Sequence, residues 1–342
     1  MNDFIDSIFD SIANMFAGVD VASLYPKLEG YIKITGVEAK TLEGVNAIYK
    51  MFAPIAMYML LIYGLMALLD LYQRDNMTME QLVKVIFRFG VAIVFISNGG
   101  AIIGQIASLG DSLITRLSNS IPLNSITYNV KVDTHNSVTS LAFEAAKGAA
   151  AGGTFGGATG AAAGATIAGI RALLSGGTVQ QTCNGFGEAI RYTIAAQHLG
   201  FLKGLILILL ALPIGLIAKI MELILTVQCI TRSVELMIRL GFSSLACSEL
   251  YGDLHRSNAI RYFKKIFALS LQGVGIYFAF FVISTMQQPH LTKFLSALGG
   301  AGELSFFSAE AFGELCTAML YEFVAIGVIA TIKQVINDAL GC

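Results

Sequence analysis

Residues 51–69 read MFAPIAMYMLLIYGLMALL and carry no charge. At 1.5 Å per residue such a helix crosses the ~30 Å hydrocarbon core of a bilayer. Outside a membrane it would need a core able to enclose it on every side. Charged residues make up only 13% of the chain and its mean hydropathy is +0.70, whereas soluble domains carry about 25% charged residues. A water-facing surface made from this composition would be covered in apolar patches. The expected fold class is therefore all-α, a polytopic transmembrane bundle of about five to six spans, not a soluble enzyme.

Further runs repeat the signal. Val85 to Ile106 forms a second span, with Arg88 at its start able to snorkel to the interface. Phe201 to Ala218, Ile266 to Ser284 and Leu315 to Val335 follow, with Pro213 predicting a kink in the first of these. Pro54 is expected in the first turn of its helix, where a missing donor does little harm. A shallow or re-entrant span between Leu236 and Ala246 is a further option within 232–250, and Met286 to Glu310 reads as a polar loop. The organisation expected is an N-terminal extracytoplasmic segment (1–50), two spans (51–107), a central extracytoplasmic region (108–200) and a C-terminal bundle (201–342) with a basic cytoplasmic segment at 219–265.

In residues 3–16, Phe4, Ile5, Ile8, Phe9, Ile12, Met15 and Phe16 recur at helical spacing opposite Asp3, Asp6 and Asp10. This amphipathic helix either packs on a neighbour or lies in the membrane interface. Three aspartates and no basic residue in the first ten positions argue against a cleavable signal peptide. The stretch 148–170 is charge-free and Ala/Gly-rich, with Gly148, Gly152, Gly156, Gly160 and Gly164 at four-residue spacing. That spacing suits close helix packing, so a helical hairpin or re-entrant element is expected. A flexible Gly/Ala loop is the alternative.

Basic residues concentrate at 70–88 and 219–265, which the positive-inside rule assigns to the cytoplasm. The topology expected is N-terminus outside and C-terminus inside. Chemistry is sparse. The five cysteines are scattered without a CxxC, the four histidines have no ligand spacing, and no phosphate-binding or hydrolase motif is present. No metal or cofactor is expected. The informative residues are charges in apolar surroundings. Glu322, inside the last span, must face protein or water. It is either a structural partner to another helix or a path-lining group. Arg232, Glu235 and Arg239 form either a face for a cytoplasmic partner or an ordinary basic anchor, and Lys219 and Glu222 are spaced to pair.

The order of these features resembles the VirB6/TrbL family of type IV secretion systems, especially the conjugation proteins of Gram-positive mobile elements. The resemblance covers nearly the whole chain and is densest in ITRSVELMIRLGFSSLACSEL and HRSNAIRYFKKIFALSLQG. It departs from the family at Gly241-Phe242-Ser243-Ser244, where Pro and Ala are common. The resemblance implies a non-catalytic channel subunit of the cytoplasmic membrane. Its implied partners are VirB4-like and coupling-protein ATPases and single-stranded DNA carried with a relaxase, while a homo-oligomer is an option that the glycine spacing leaves open. A secondary transporter or small-solute channel, and an oligomeric membrane scaffold, are the competing readings.

Overall fold

The computed structural model describes residues 2–33, 39–73, 79–123, 126–133, 178–196, 201–249, 258–299 and 309–341. In chain order the elements are α1 (Asn2–Ala17), α2 (Val21–Ile32), α3 (Ala39–Gln73), α4 (Met79–Ser120), β1 (Tyr128–Asp133) and β2 (Thr178–Cys183), followed by α5 (Phe186–Ala196), α6 (Phe201–Gly241), α7 (Ser243–Ser248), α8 (Asn258–Gly299) and α9 (Ala309–Leu340). Among the described residues, five helices are long and apolar enough to cross a membrane, at Glu43–Gln73, Met79–Ile102, Ala211–Gly241, Ala259–Leu298 and Ala309–Leu340. Their outward faces are apolar: Met51, Ile55, Tyr58, Ile62 and Met66 on α3, and Leu212, Leu216, Leu223 and Val227 on α6, are exposed. Lipid is the solvent that accepts such faces. The helices also outrun the bilayer, since α4 and α8 are each 42 residues long, or about 63 Å.

The chain divides into two compact units. The first comprises Met1–Tyr25, Pro122–Ile224 and Phe280–Ile326. Its core joins Ile12, Phe16 and Val19 to Tyr128 of β1, Phe186 and Ile190 of α5, Ile214 of α6, Phe294 of α8 and Leu315 of α9. The Phe294 ring lies 6.0 Å from that of Phe16 and 6.1 Å from that of Phe186. Each such side chain contributes roughly 1.5–3 kcal/mol by burial. Small residues bring α1 against α5, because a Cβ on Gly187 would sit 2.7 Å from that of Ala17. The amphipathic α1 thus packs on neighbours with Ile12, Ala13 and Phe16 inward. β1 and β2 pair antiparallel, Tyr128 opposite Cys183 through Asp133 opposite Thr178, a small sheet that periodicity did not announce.

The second unit comprises Pro26–Ile121, Leu225–Ala279 and Gly327–Cys342. One cluster packs Ala56 and Leu60 of α3, Ala92 and Ile96 of α4 and Cys247 of α7. Another joins Leu236 and Leu240 of α6 to Ile266 and Leu269 of α8. The Tyr49 hydroxyl donates to the carbonyls of Phe95 and Ile96, tying the α3–α4 hairpin.

Several expected boundaries move. Residue 50 is no border: α3 starts at Ala39 and its apolar stretch at Glu43. Pro54 therefore lies in the helix interior, and α6 likewise runs unbroken through Pro213. The expected basic cytoplasmic segment 219–265 instead contains the end of α6, the short α7 and the start of α8. Its charges do not end the helix because they pair along it, Lys219 with Glu222 at 2.7 Å and Arg239 with Glu235 at 2.9 Å. Leu236 to Ala246 is not one continuous helix, since α6 continues to Gly241 and α7 begins at Ser243. Met286 to Gly299 is helix, not loop, with Pro289 inside it. The glycines Gly148, Gly152, Gly156, Gly160 and Gly164 lie outside the described residues.

Candidate functional site

Each unit carries its own polar cluster, one at the start of α2 and one at its end. Ile12 to Val19 leads into α2, and Val21, Leu24, Leu28 and Ile32 turn one buried stripe inward. The opposite face, with Pro26, Lys27, Gly30 and Tyr31, is exposed. Side chains from distant parts of the sequence close each end.

At the start, in the first unit, α1 stops at Ala17 and the turn Gly18-Val19 delivers Asp20 to the N-cap of α2. Its Oδ1 accepts the Ala22 N–H at 3.0 Å, the ordinary role of an N-cap aspartate. The Tyr128 hydroxyl and the Phe186 N–H also bond the carboxylate. Phe186 opens α5, so its N–H is one that the helix itself cannot use. Two helix N-termini thus point at one carboxylate, which their dipoles favour. Burial outweighs these donors and raises the Asp20 carboxyl from 3.8 to about 6. Burial, followed by the charge of Asp20, also pushes the Tyr128 phenol up.

Gln287 of α8, fully buried, spans the same turn. Its Nε2 donates to the Val19 carbonyl at 2.7 Å and to the Ala318 carbonyl of α9 at 2.9 Å, and its Oε1 accepts the Val21 N–H at 3.0 Å. One helical turn beyond Ala318 lies Glu322, with 0% exposure. Its neighbours Leu320, Phe323 and Val324 face outward. Glu322 therefore points into protein, within range of the charge of Asp20. Neither of its carboxyl oxygens has a hydrogen-bond partner among the described residues.

At the far end, in the second unit, the carbonyls of α2 meet α6. Arg232 donates from Nη1 to the Ile32 carbonyl at 2.5 Å, and Ser233 donates to the Tyr31 carbonyl at 2.5 Å. These are C-terminal carbonyls that a helix leaves unpaired. The same guanidinium reaches the Leu269 carbonyl at 3.0 Å and that of Ser270 at 3.2 Å on α8. Gly273 makes room for it, since a Cβ there would lie 2.7 Å from Nη2. Buried Asp111 of α4 supplies a compensating charge.

Arg232 was expected on a partner-facing or anchoring surface, but it is buried and spent on backbone carbonyls. Glu235 and Arg239 pair with one another, and Lys333 of α9 also reaches Glu235 at 2.5 Å. Lys219 and Glu222 form their own pair and do not join the site. Asp20, Asp111, Ser284 and Gln287 escaped the sequence reading. The one signal for them was Gly18 followed by Asp20, a helix stop and then an N-cap. Among the described residues no group of His, Cys, Asp and Glu is placed to hold a metal ion. No family model, curated protein or solved structure matches the chain.

Proposed function

We propose that this chain is a cytoplasmic-membrane channel subunit of a type IV secretion machine, forming part of the path by which DNA and its relaxase leave the cell. The observation that carries the reading is the pairing of five apolar spans with helices of 42 residues that continue well past the bilayer. Such extensions suit docking to other subunits on either side of the membrane. The order of elements, resembling the VirB6/TrbL family, supports it. In this reading the N-terminus is outside, the C-terminus inside, and VirB4-like and coupling-protein ATPases supply energy from the cytoplasm. Deleting the gene in its native donor cell tests it. Loss of DNA transfer with growth intact is the expected result, and undiminished transfer excludes the role.

A second reading, a secondary transporter or small-solute channel, draws support from the buried polar group of Asp20, Ser284, Gln287 and Glu322. Polar residues collected inside a bundle are the usual material of solute and ion sites. Uptake or efflux that depends on this chain in proteoliposomes would favour it over the first.

A further inference from the structure

The polar centre of the first unit contains more acceptor capacity than its own donors fill. Asp20 is served by three donors and Gln287 uses both ends of its amide. Among the described residues Glu322 has neither donor nor base. The unit's bases with described side chains are engaged elsewhere: Arg191 with Asp10, Lys219 with Glu222, and His290 and Lys293 with Glu314. A carboxylate buried without a partner is strongly unfavourable, and a second carboxylate nearby adds to the cost.

A second buried polar atom of this unit, Ser284 Oγ, also has no hydrogen-bond partner among the described residues. α8 and α9 run antiparallel, with His290 paired to Glu314 and Gln287 bonded to Ala318. The next step, three residues back on α8 and four forward on α9, sets Ser284 level with Glu322. Helical hydroxyls nearby turn back onto their own helix, Thr285 to the Phe281 carbonyl at 2.8 Å and Thr292 to that of Gln288 at 2.9 Å. Ser284 does not; its Oγ is buried and has no partner. Helical spacing thus sets an orphan hydroxyl and two orphan carboxyl oxygens at one level of the α8–α9 pair, with the charge of Asp20 at the α1–α2 break in range of Glu322. Interrupted helices within a bundle are a recurrent setting for ion sites.

We propose that Glu322 and Ser284, with the remaining lone pair of Asp20, bind a small monovalent cation, for which sodium is the probe. The donors are hard oxygens, the one unpartnered carboxylate matches a single positive charge, and magnesium demands a near-ideal octahedron. A proton alone would cancel the charge of Glu322 and let its O–H donate to Ser284 or Asp20, whereas a cation engages both carboxyl oxygens at once, and the sodium titration separates the two. The inference rests on neither functional reading above, because it concerns binding and not what the chain transports.

The test is the melting temperature of the full-length protein in detergent, titrated with sodium chloride against choline chloride at constant ionic strength, at neutral and mildly acidic pH. Sodium should raise it saturably. Glu322→Gln, which keeps the shape and removes the charge, should abolish the rise. Ser284→Ala should weaken the apparent affinity about tenfold. Should Glu322→Gln fold poorly, the sodium titration of the unaltered protein and of Ser284→Ala still decides. Equal melting in sodium and choline overturns the proposal, as does a sodium response undiminished in Glu322→Gln. A Glu322-dependent rise on acidification with no response to sodium also overturns it, since a proton then suffices.

Discussion

Gln287 donates to the Val19 carbonyl at 2.7 Å while accepting the Val21 N–H at 3.0 Å, so one side chain brackets Asp20 from both sides. The turn between α1 and α2 is thereby held by a residue more than 260 positions away in sequence, 268 from Val19. A buried amide used this fully is costly to remove. Gln287→Leu orphans the Val19 carbonyl and the Val21 N–H, each worth about 1–3 kcal/mol when buried unpaired, and removes the second bond on the Ala318 carbonyl, which α9 itself still uses. A destabilisation on the order of 3 kcal/mol is expected, read as a lower melting temperature in detergent with membrane insertion unchanged. Wild-type melting would contradict the bracket.

Asp20 should make stability depend on pH. Its carboxyl is raised by burial from 3.8 to about 6, so the folded state holds its proton more tightly than the unfolded chain. The corresponding stability is complete below pH about 4 and is lost as pH rises through about 6. A shift of about two units corresponds to about 3 kcal/mol. Relative to Asp20→Asn, the wild-type protein should therefore lose melting temperature between pH about 4 and about 7. A constant difference across that range would show that burial does not govern this carboxyl.

Arg232 is expected to be needed for its geometry as well as its charge. Arg232→Leu leaves the Ile32 carbonyl without its donor, strips the second bond from the Leu269 and Ser270 carbonyls and removes the positive charge that acts on buried Asp111, a loss on the order of 3–5 kcal/mol. Arg232→Lys retains a charge but not the planar fork, and should recover only part of the loss. Ser233→Ala removes one bond to α2 and should cost about 1 kcal/mol. Limited proteolysis at Lys33, just past the end of α2, should accelerate in the same order. Unchanged cleavage in Arg232→Leu would mean that α2 does not depend on its capped end.

Gly99 and Tyr49 should be energetically coupled. A Cβ at Gly99 would overlap the Tyr49 hydroxyl, whose oxygen is the nearest atom. Gly99→Ala should therefore destabilise the wild-type protein more than it destabilises Tyr49→Phe, in which the nearest atom would be the ring carbon at 3.2 Å. A double-mutant cycle on melting temperature reads the coupling. Additive effects would contradict the contact.

The spans were legible because 51–69 carries no charge, a local property that burial elsewhere does not alter. Glu322 was legible for the same reason, as one acid among Leu320, Phe323 and Val324. The true length of α6 was hidden by Lys219, Glu222, Glu235 and Arg239, which look like a helix leaving the membrane until their pairing is known. The burial of Asp20 and Arg232 was not legible, because it depends on Tyr128, Gln287, Asp111 and Ser270, which only the fold brings near. Pro26 and Gly30 likewise disguise α2, whose helicity is set by capping at both ends and not by propensity.

The central claim, five crossings by α3, α4, α6, α8 and α9, is tested most directly by membrane-impermeant labelling of single cysteines at Asp75, Asp133 and Ser257 in intact cells, with the native cysteines replaced. Five spans require Asp75, between α3 and α4, and Ser257, just before α8, to share one side, with Asp133 at the end of β1 on the other. The account predicts labelling of Asp133→Cys from outside, and of Asp75→Cys and Ser257→Cys only after the membrane is opened. Labelling of Ser257→Cys from outside in intact cells, alongside Asp133→Cys, would contradict it.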